Sequence, residues 1–130
     1  MHRYQDWLAQ SKRDLQRAEI DLQYEFWEWA CFTAQHAAEK ACLAFLMRFG
    51  VTAWGYAITA MIQNFQGTPV PDALVQHARL LDAYYLPTRY PSRYDGGKPA
   101  EFFNEGKARE AVSAAKEIVR FCEENLPGEG

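Results

Sequence analysis

Ala30, Ala34, Ala37, Ala41 and Ala44 recur at steps of three and four residues, which places them along one side of a helix. Trp27, Cys31, Ala38, Cys42, Phe45 and Phe49 line a second side. A helix that is apolar on two sides belongs in the middle of a bundle or at a dimer interface. The spacing predicts this helix from about Tyr24 or Glu25 to Phe49, stopped by Gly50. Its small side lets a neighbouring helix approach closely, so it organises the fold.

The rest of the chain is read around it. Nineteen alanines and ten leucines stand against five valines, four isoleucines and five threonines. Ala and Leu lose little side-chain freedom in a helix, whereas strands favour β-branched residues. A first helix is predicted from Tyr4 to Gln23, with Leu8, Ser11, Leu15, Ala18 and Leu22 as its stripe. Lys12, Arg13, Gln16, Arg17 and Glu19 form its solvated face. A shorter helix fits Trp54 to Phe65, and a fourth runs from Pro71 to about Leu86 with Leu74, Ala78, Leu81 and Tyr85 inward. The last extends from Glu105 to Asn125 behind an Asn104 cap. Residues 126–130 are expected to fray. The expected fold is all-α: an antiparallel up-down four-helix bundle with one extra short helix, forming a single domain over residues 1–130.

Composition removes several classes of function. Seventeen acidic and fourteen basic residues leave a charge of −3, which argues against coating nucleic acid through bulk charge. No apolar run reaches the ~20 residues of a membrane helix, and Arg48 stops the best candidate, Ala41 to Met47. Cys31, Cys42 and Cys122 are odd in number and lack CxxC spacing, which fits reduced thiols in a cytoplasmic protein. His2, His36 and His77 show no metal-ligand spacing, so no metal and no cofactor are expected. The high aromatic content, 15%, includes Trp27, Trp29, Trp54, Phe102 and Phe103. These overfill one small core, and the excess predicts a homodimer.

Two groups of residues can carry chemistry. The first is the stretch Pro87 to Pro99, with three prolines, two glycines, Arg89, Tyr90, Arg93, Tyr94 and Lys98. Guanidinium groups fork onto phosphate or carboxylate oxygens. The alternative is that these arginines cap helix ends and pair with surface acids. The second group is Gln35, His36, Glu39 and Lys40 within the apolar central helix. Polar groups there need partners, and Arg89, Arg93 or the arginines of the first helix are the expected ones. The strip is read either as a hydrogen-bond network that fixes helix register or as part of a site. His36 is its sole imidazole and the one candidate for catalysis.

Ala30-Cys31-Phe32-Thr33-Ala34-Gln35-His36-Ala37-Ala38-Glu39-Lys40-Ala41 resembles the central helix of HEPN domains. Leu80-Leu81-Asp82-Ala83-Tyr84-Tyr85-Leu86-Pro87-Thr88-Arg89-Tyr90-Pro91 resembles the family's second signature, a helix running into an Arg-Tyr-Pro loop. The likeness spans about Tyr4 to Asn125. It implies an all-α bundle, usually homodimeric. It also implies a nucleotide or RNA ligand, or a minimal nucleotidyltransferase partner in a toxin–antitoxin-like pair.

Many members are metal-independent ribonucleases with an arginine followed, four to six residues later, by a histidine. None of Arg48, Arg79, Arg89, Arg93 or Arg109 has such a histidine. Relatives of this subtype also often carry His where Tyr56 stands and Gln where His36 stands. These departures point to a non-catalytic module. Its expected ligand contacts are Arg89, Arg93, Lys40, Gln35, Glu39 and Tyr85. Two alternatives are an endoribonuclease toxin with an atypical site using His36, Arg89 and Arg93, and a purely structural dimeric scaffold.

Overall fold

The structure, a computed structural model, describes residues 3–51, 57–65, 67–84 and 98–127. Its helices are α1 (Tyr4–Gln23), α2 (Trp27–Arg48), α3 (Ile58–Ile62), α4 (Asp72–Asp82), α5 (Pro99–Phe102) and α6 (Glu105–Asn125). No strand occurs among the described residues. The long helices form the predicted all-α bundle, with α2 at its centre against α1 and α6.

Small side chains explain why α1 and α2 lie so close. Ser11 and Ala18 on α1, and all five alanines of the small side of α2, are fully buried. The Ser11 hydroxyl donates to the Ala37 carbonyl oxygen at 2.6 Å, so a polar side chain reaches the backbone of the next helix without leaving a donor unpaired. Leu8, Leu15 and Leu22 pack on the same core from its edge. On the other side of α2, Cys42 meets Cys122 of α6 thiol to thiol in the interior. Phe45 stacks on Phe65 at 4.0 Å between ring centres.

Helices α1 and α2 end in the same backbone motif. After α1, the Phe26 amide donates to the Asp21 carbonyl and the Glu25 amide to the Leu22 carbonyl. After α2, the Val51 amide donates to Leu46 and the Gly50 amide to Met47. Each motif needs one residue in the left-handed region. Gly50 supplies it at φ 76°, without strain. Glu25 supplies it at φ 65°, the single non-glycine residue of positive φ among the described residues. Helix α2 therefore begins at Trp27 and not at Tyr24 or Glu25.

The shorter elements depart further from expectation. Helix α3 covers Ile58–Ile62, and Ala57 before it is extended; Trp54 to Tyr56 lie outside the described residues. Pro71 stands one position before α4 and not within it, and α4 ends at Asp82, with Tyr85 and Leu86 outside the described residues. Pro99 opens the unforeseen four-residue α5. Asn104 caps α6 as expected, its side-chain oxygen accepting from the Lys107 amide at 2.9 Å. Leu126, expected in the tail, is buried.

The aromatic excess divides. Phe103 is buried and Trp27 half-buried, while Trp29 and Phe102 are exposed. No helix among the described residues is long and apolar enough to cross a membrane.

Candidate ligand site on the central helix

The polar strip of α2 is split by the twist of the helix. Residues 39 and 40 are successive, so their side chains leave the axis about 100° apart. Lys40 turns toward α1 and places its ammonium 2.6 Å from the Asp14 carboxylate. Both groups are mostly buried, at 24% and 17% exposed. Gln10 donates to the other Asp14 oxygen at 2.8 Å. Beside this pair, Arg3, Asp6, Trp7, Gln10 and Lys40 line a shallow cleft of about 300 Å³.

Gln35 and Glu39 take a different direction. Gln35 is buried, and its amide nitrogen donates to the Glu39 carboxylate at 3.2 Å. Its carbonyl oxygen, also buried, has no hydrogen-bond partner among the described residues. Leaving such an atom unpaired costs about 1–3 kcal/mol. The two side chains together present acceptors, a carbonyl and a carboxylate. The arrangement suits a ligand or side chain rich in N–H donors.

Several titratable groups on α2 and near it are shifted by burial and by neighbouring acids. Burial pushes the Cys42 thiol well above its ordinary range; the Cys122 thiol and the Asp82 and Glu39 carboxylates act in the same direction. Burial raises Cys31 to about 12, helped by Glu28 and Glu110 and opposed by Lys107. Tyr84 is likewise pushed up to about 12, by burial first and then by Cys31 and Glu110. Its ring meets Phe103 edge-on at 5.6 Å. His36 packs edge-on against Phe32 at 4.5 Å.

The structure thus brings Gln35 to Glu39 and takes Lys40 away from both. Arg89, Arg93 and Tyr85 lie outside the described residues. Arg17, one of the α1 arginines expected to serve the strip, bonds Asp21 at 2.9 Å.

The acids of α1 were not picked out from the sequence. Ser11, Asp14, Ala18 and Asp21 recur at steps of three, four and three, which places them on one side of α1. An acid in a stripe that also holds a buried serine and alanine needs a partner across the helix interface. Asp14 finds Lys40, and Asp21 finds Arg17 and the Thr33 hydroxyl, the latter at 2.9 Å. Asp82 was missed as well. It accepts from the Ile58 and Thr59 amides and from the Thr59 hydroxyl, so the last residue of α4 holds the start of α3.

No three His, Cys, Asp or Glu side chains gather as a metal-ligand set among the described residues.

The chain as a whole is similar to known proteins. The family model of the HEPN domain matches residues 4–125. The crystal structure of TT1696 from Thermus thermophilus is similar at a TM-score of 0.93 and 38% identity, covering 97% of this chain and 100% of that one. ST0689, an archaeal HEPN homologue, is similar at a TM-score of 0.82 and 33% identity, covering 98% and 100%. A HEPN domain protein of Thermotoga maritima, tm0613, is similar at 0.74 and 32%, covering 92% and 95%. No curated protein matches.

Proposed function

Because the chain belongs to the HEPN domain family, we propose that it works as a non-catalytic HEPN module that binds a nucleotide or another phosphate-bearing ligand. In this reading it is a homodimer, and the same surface takes that ligand, a minimal nucleotidyltransferase partner of a toxin–antitoxin-like pair, or both. Arg89 and Arg93 take the phosphate oxygens, since guanidinium groups match them in shape and charge. Gln35 and Glu39 take the amino edge of the base, and Tyr85 contributes a ring face. Lys40 lends positive potential from the α1 side while it stays tied to Asp14.

The observation that carries the reading is the buried carbonyl of Gln35, which has no hydrogen-bond partner among the described residues, beside the Glu39 carboxylate. A pair of acceptors fits the donor edge of a base better than it fits a phosphate, so the two ends of a nucleotide are divided between two groups of residues. The ribonuclease alternative has less support, because the Arg-x4–6-His pattern is missing.

Titration calorimetry with ATP at low and high salt tests the proposal. Binding should weaken with salt and fall about tenfold or more in Arg89→Ala, the loss expected when a charge-assisted contact is removed. An affinity unchanged by that substitution overturns the site assignment.

One observation favours a second reading, the structural scaffold. Lys40 is paired with Asp14, and the amide nitrogen of Gln35 with Glu39, within the bundle. On that reading ATP does not bind at all, and the strip serves only to lock helix register.

A further inference from the structure

Glu39 is half-buried on α2, and among the described residues no cation pairs with it. Lys40, its neighbour in the chain, is held by Asp14 at 2.6 Å. The one hydrogen bond that Glu39 receives there comes from the Gln35 amide nitrogen, 3.2 Å from Oε2. A carboxylate has about four acceptor positions, so about three remain. Gln35 adds another: its Oε1 is buried and has no hydrogen-bond partner among the described residues. With the Gln35 amide nitrogen turned to Glu39, the pair has chiefly acceptors left to offer.

We propose that this pair selects guanine, so that the chain prefers guanine nucleotides to adenine nucleotides. The proposal rests on the nucleotide reading above and names the base.

The edges of the bases decide between them. Guanine carries N1–H beside its N2 amino group. N1, C2 and N2 repeat the fork of a guanidinium, the group that a carboxylate receives with two parallel hydrogen bonds. Glu39 can take N1–H and one N2–H together. The second N2–H is then a donor left over, and the Gln35 carbonyl is an acceptor left over.

The other bases lack this row of donors. Adenine and cytosine each set an unprotonated ring nitrogen beside the amino group. Uracil sets its single N–H between two carbonyls. Each of them turns a lone pair toward the carboxylate. In a partly dehydrated place such repulsion is screened less than in water. It adds to the loss of the second hydrogen bond.

The two residues have unequal parts. Glu39 is half-buried and meets the base directly. Its bonds are charge-assisted, roughly twice as strong as neutral ones. Gln35 is 2% exposed, so a base reaches its carbonyl only by displacing what covers it. That cost offsets part of the gain. Gln35 is first a positioning residue, because its amide nitrogen holds the Glu39 carboxylate in place.

Titration calorimetry of the full chain with GTP, ATP and inosine triphosphate tests this. The three share their phosphates, so differences in affinity report on the base. Inosine triphosphate keeps N1–H and lacks the amino group. GTP should bind about tenfold or more tighter than either. In Glu39→Gln the carboxylate becomes an amide, with a donor beside an acceptor, the pattern that pairs with adenine. GTP affinity should fall about tenfold, ATP affinity should hold or rise, and the preference should vanish. A merely structural role for Glu39 would move both affinities alike. Circular dichroism confirms that the variant keeps its helices. Should it unfold, Glu39→Asp, which keeps the charge and draws it back from the base, gives the same comparison: GTP should lose more affinity than ATP. ATP or inosine triphosphate bound as tightly as GTP overturns the guanine assignment and leaves the nucleotide reading standing. A GTP preference that survives these substitutions overturns the pair as its source. Binding of none of the three overturns the nucleotide reading and the guanine assignment with it.

Discussion

The ammonium of Lys40 lies 2.6 Å from the Asp14 carboxylate, so a residue of the family's central-helix signature is spent on joining α2 to α1. The pair sits in an environment intermediate between surface and core. Removing one partner strands the other in a partly dehydrated place. Lys40→Ala and Asp14→Asn should each lower stability by about 1–2 kcal/mol. A double-mutant cycle in urea should show coupling between them. Strictly additive losses would mean that the contact contributes nothing.

Ser11 makes a second kind of joint. Its hydroxyl donates to the Ala37 carbonyl within a wall of alanines. Ser11→Ala should cost about 1 kcal/mol through the lost hydrogen bond. Ser11→Leu should cost more, about 1–3 kcal/mol, by forcing the two helices apart. Equal stability of the two variants would show that the helices are not in close contact there.

Gln35→Leu separates binding from packing. The substitution removes a buried carbonyl that lacks a partner among the described residues, and with it the bond to Glu39. These effects oppose each other, so stability should change by less than about 1 kcal/mol. ATP affinity should nevertheless fall. A variant much less stable than the wild type, with ligand binding intact, would place Gln35 in the structural network alone.

Alkaline pH should destabilise the fold. Burial raises Cys31 from its ordinary 9.0 to about 12 and pushes Cys42 upward as well. Above pH 9 the unfolded thiols ionise while the folded ones do not, so the unfolded state binds fewer protons and stability falls with pH. Tyr84, raised from 10.0 to about 12, adds to the slope above pH 10. Melting temperatures measured from pH 8 to 11 should decline, and Cys31→Ala should flatten the decline. Thiols that react at pH 8 with a disulfide reagent as fast as free cysteine would contradict this account.

Glu25→Gly should stabilise the chain by about 0.5–1 kcal/mol, because glycine adopts the left-handed turn without strain. Chemical denaturation measures it directly. A destabilised variant would indicate that the Glu25 side chain makes a contact outweighing its backbone strain.

Long elements were legible in the sequence because many residues vote on them. The stripe from Leu8 to Leu22 and the cap at Asn104 placed α1 and α6 at their observed bounds. The start of α2 was less legible, since the turn before it uses a glutamate where the pattern usually shows glycine. Helix α3 has five residues, and its first amide is held by Asp82, a residue 24 positions away. Local pattern carries no such information. For the same reason the strip on α2 was visible as polar residues, but its division was not. The acid that claims Lys40 stands on another helix, 26 residues earlier.

Asp82 has a wider consequence. A five-residue helix is too short to persist by itself in water, so α3 depends on that carboxylate receiving its amides as well as on the burial of Ile58, Met61 and Ile62. The closing residue of one helix is the opening clasp of another. Order at the end of α4 and order at the start of α3 are therefore tied through one carboxylate. A force that turns the last residue of α4 away from its place takes three hydrogen bonds from a segment some 24 positions earlier in the chain, and a contact that steadies that residue steadies the segment with it.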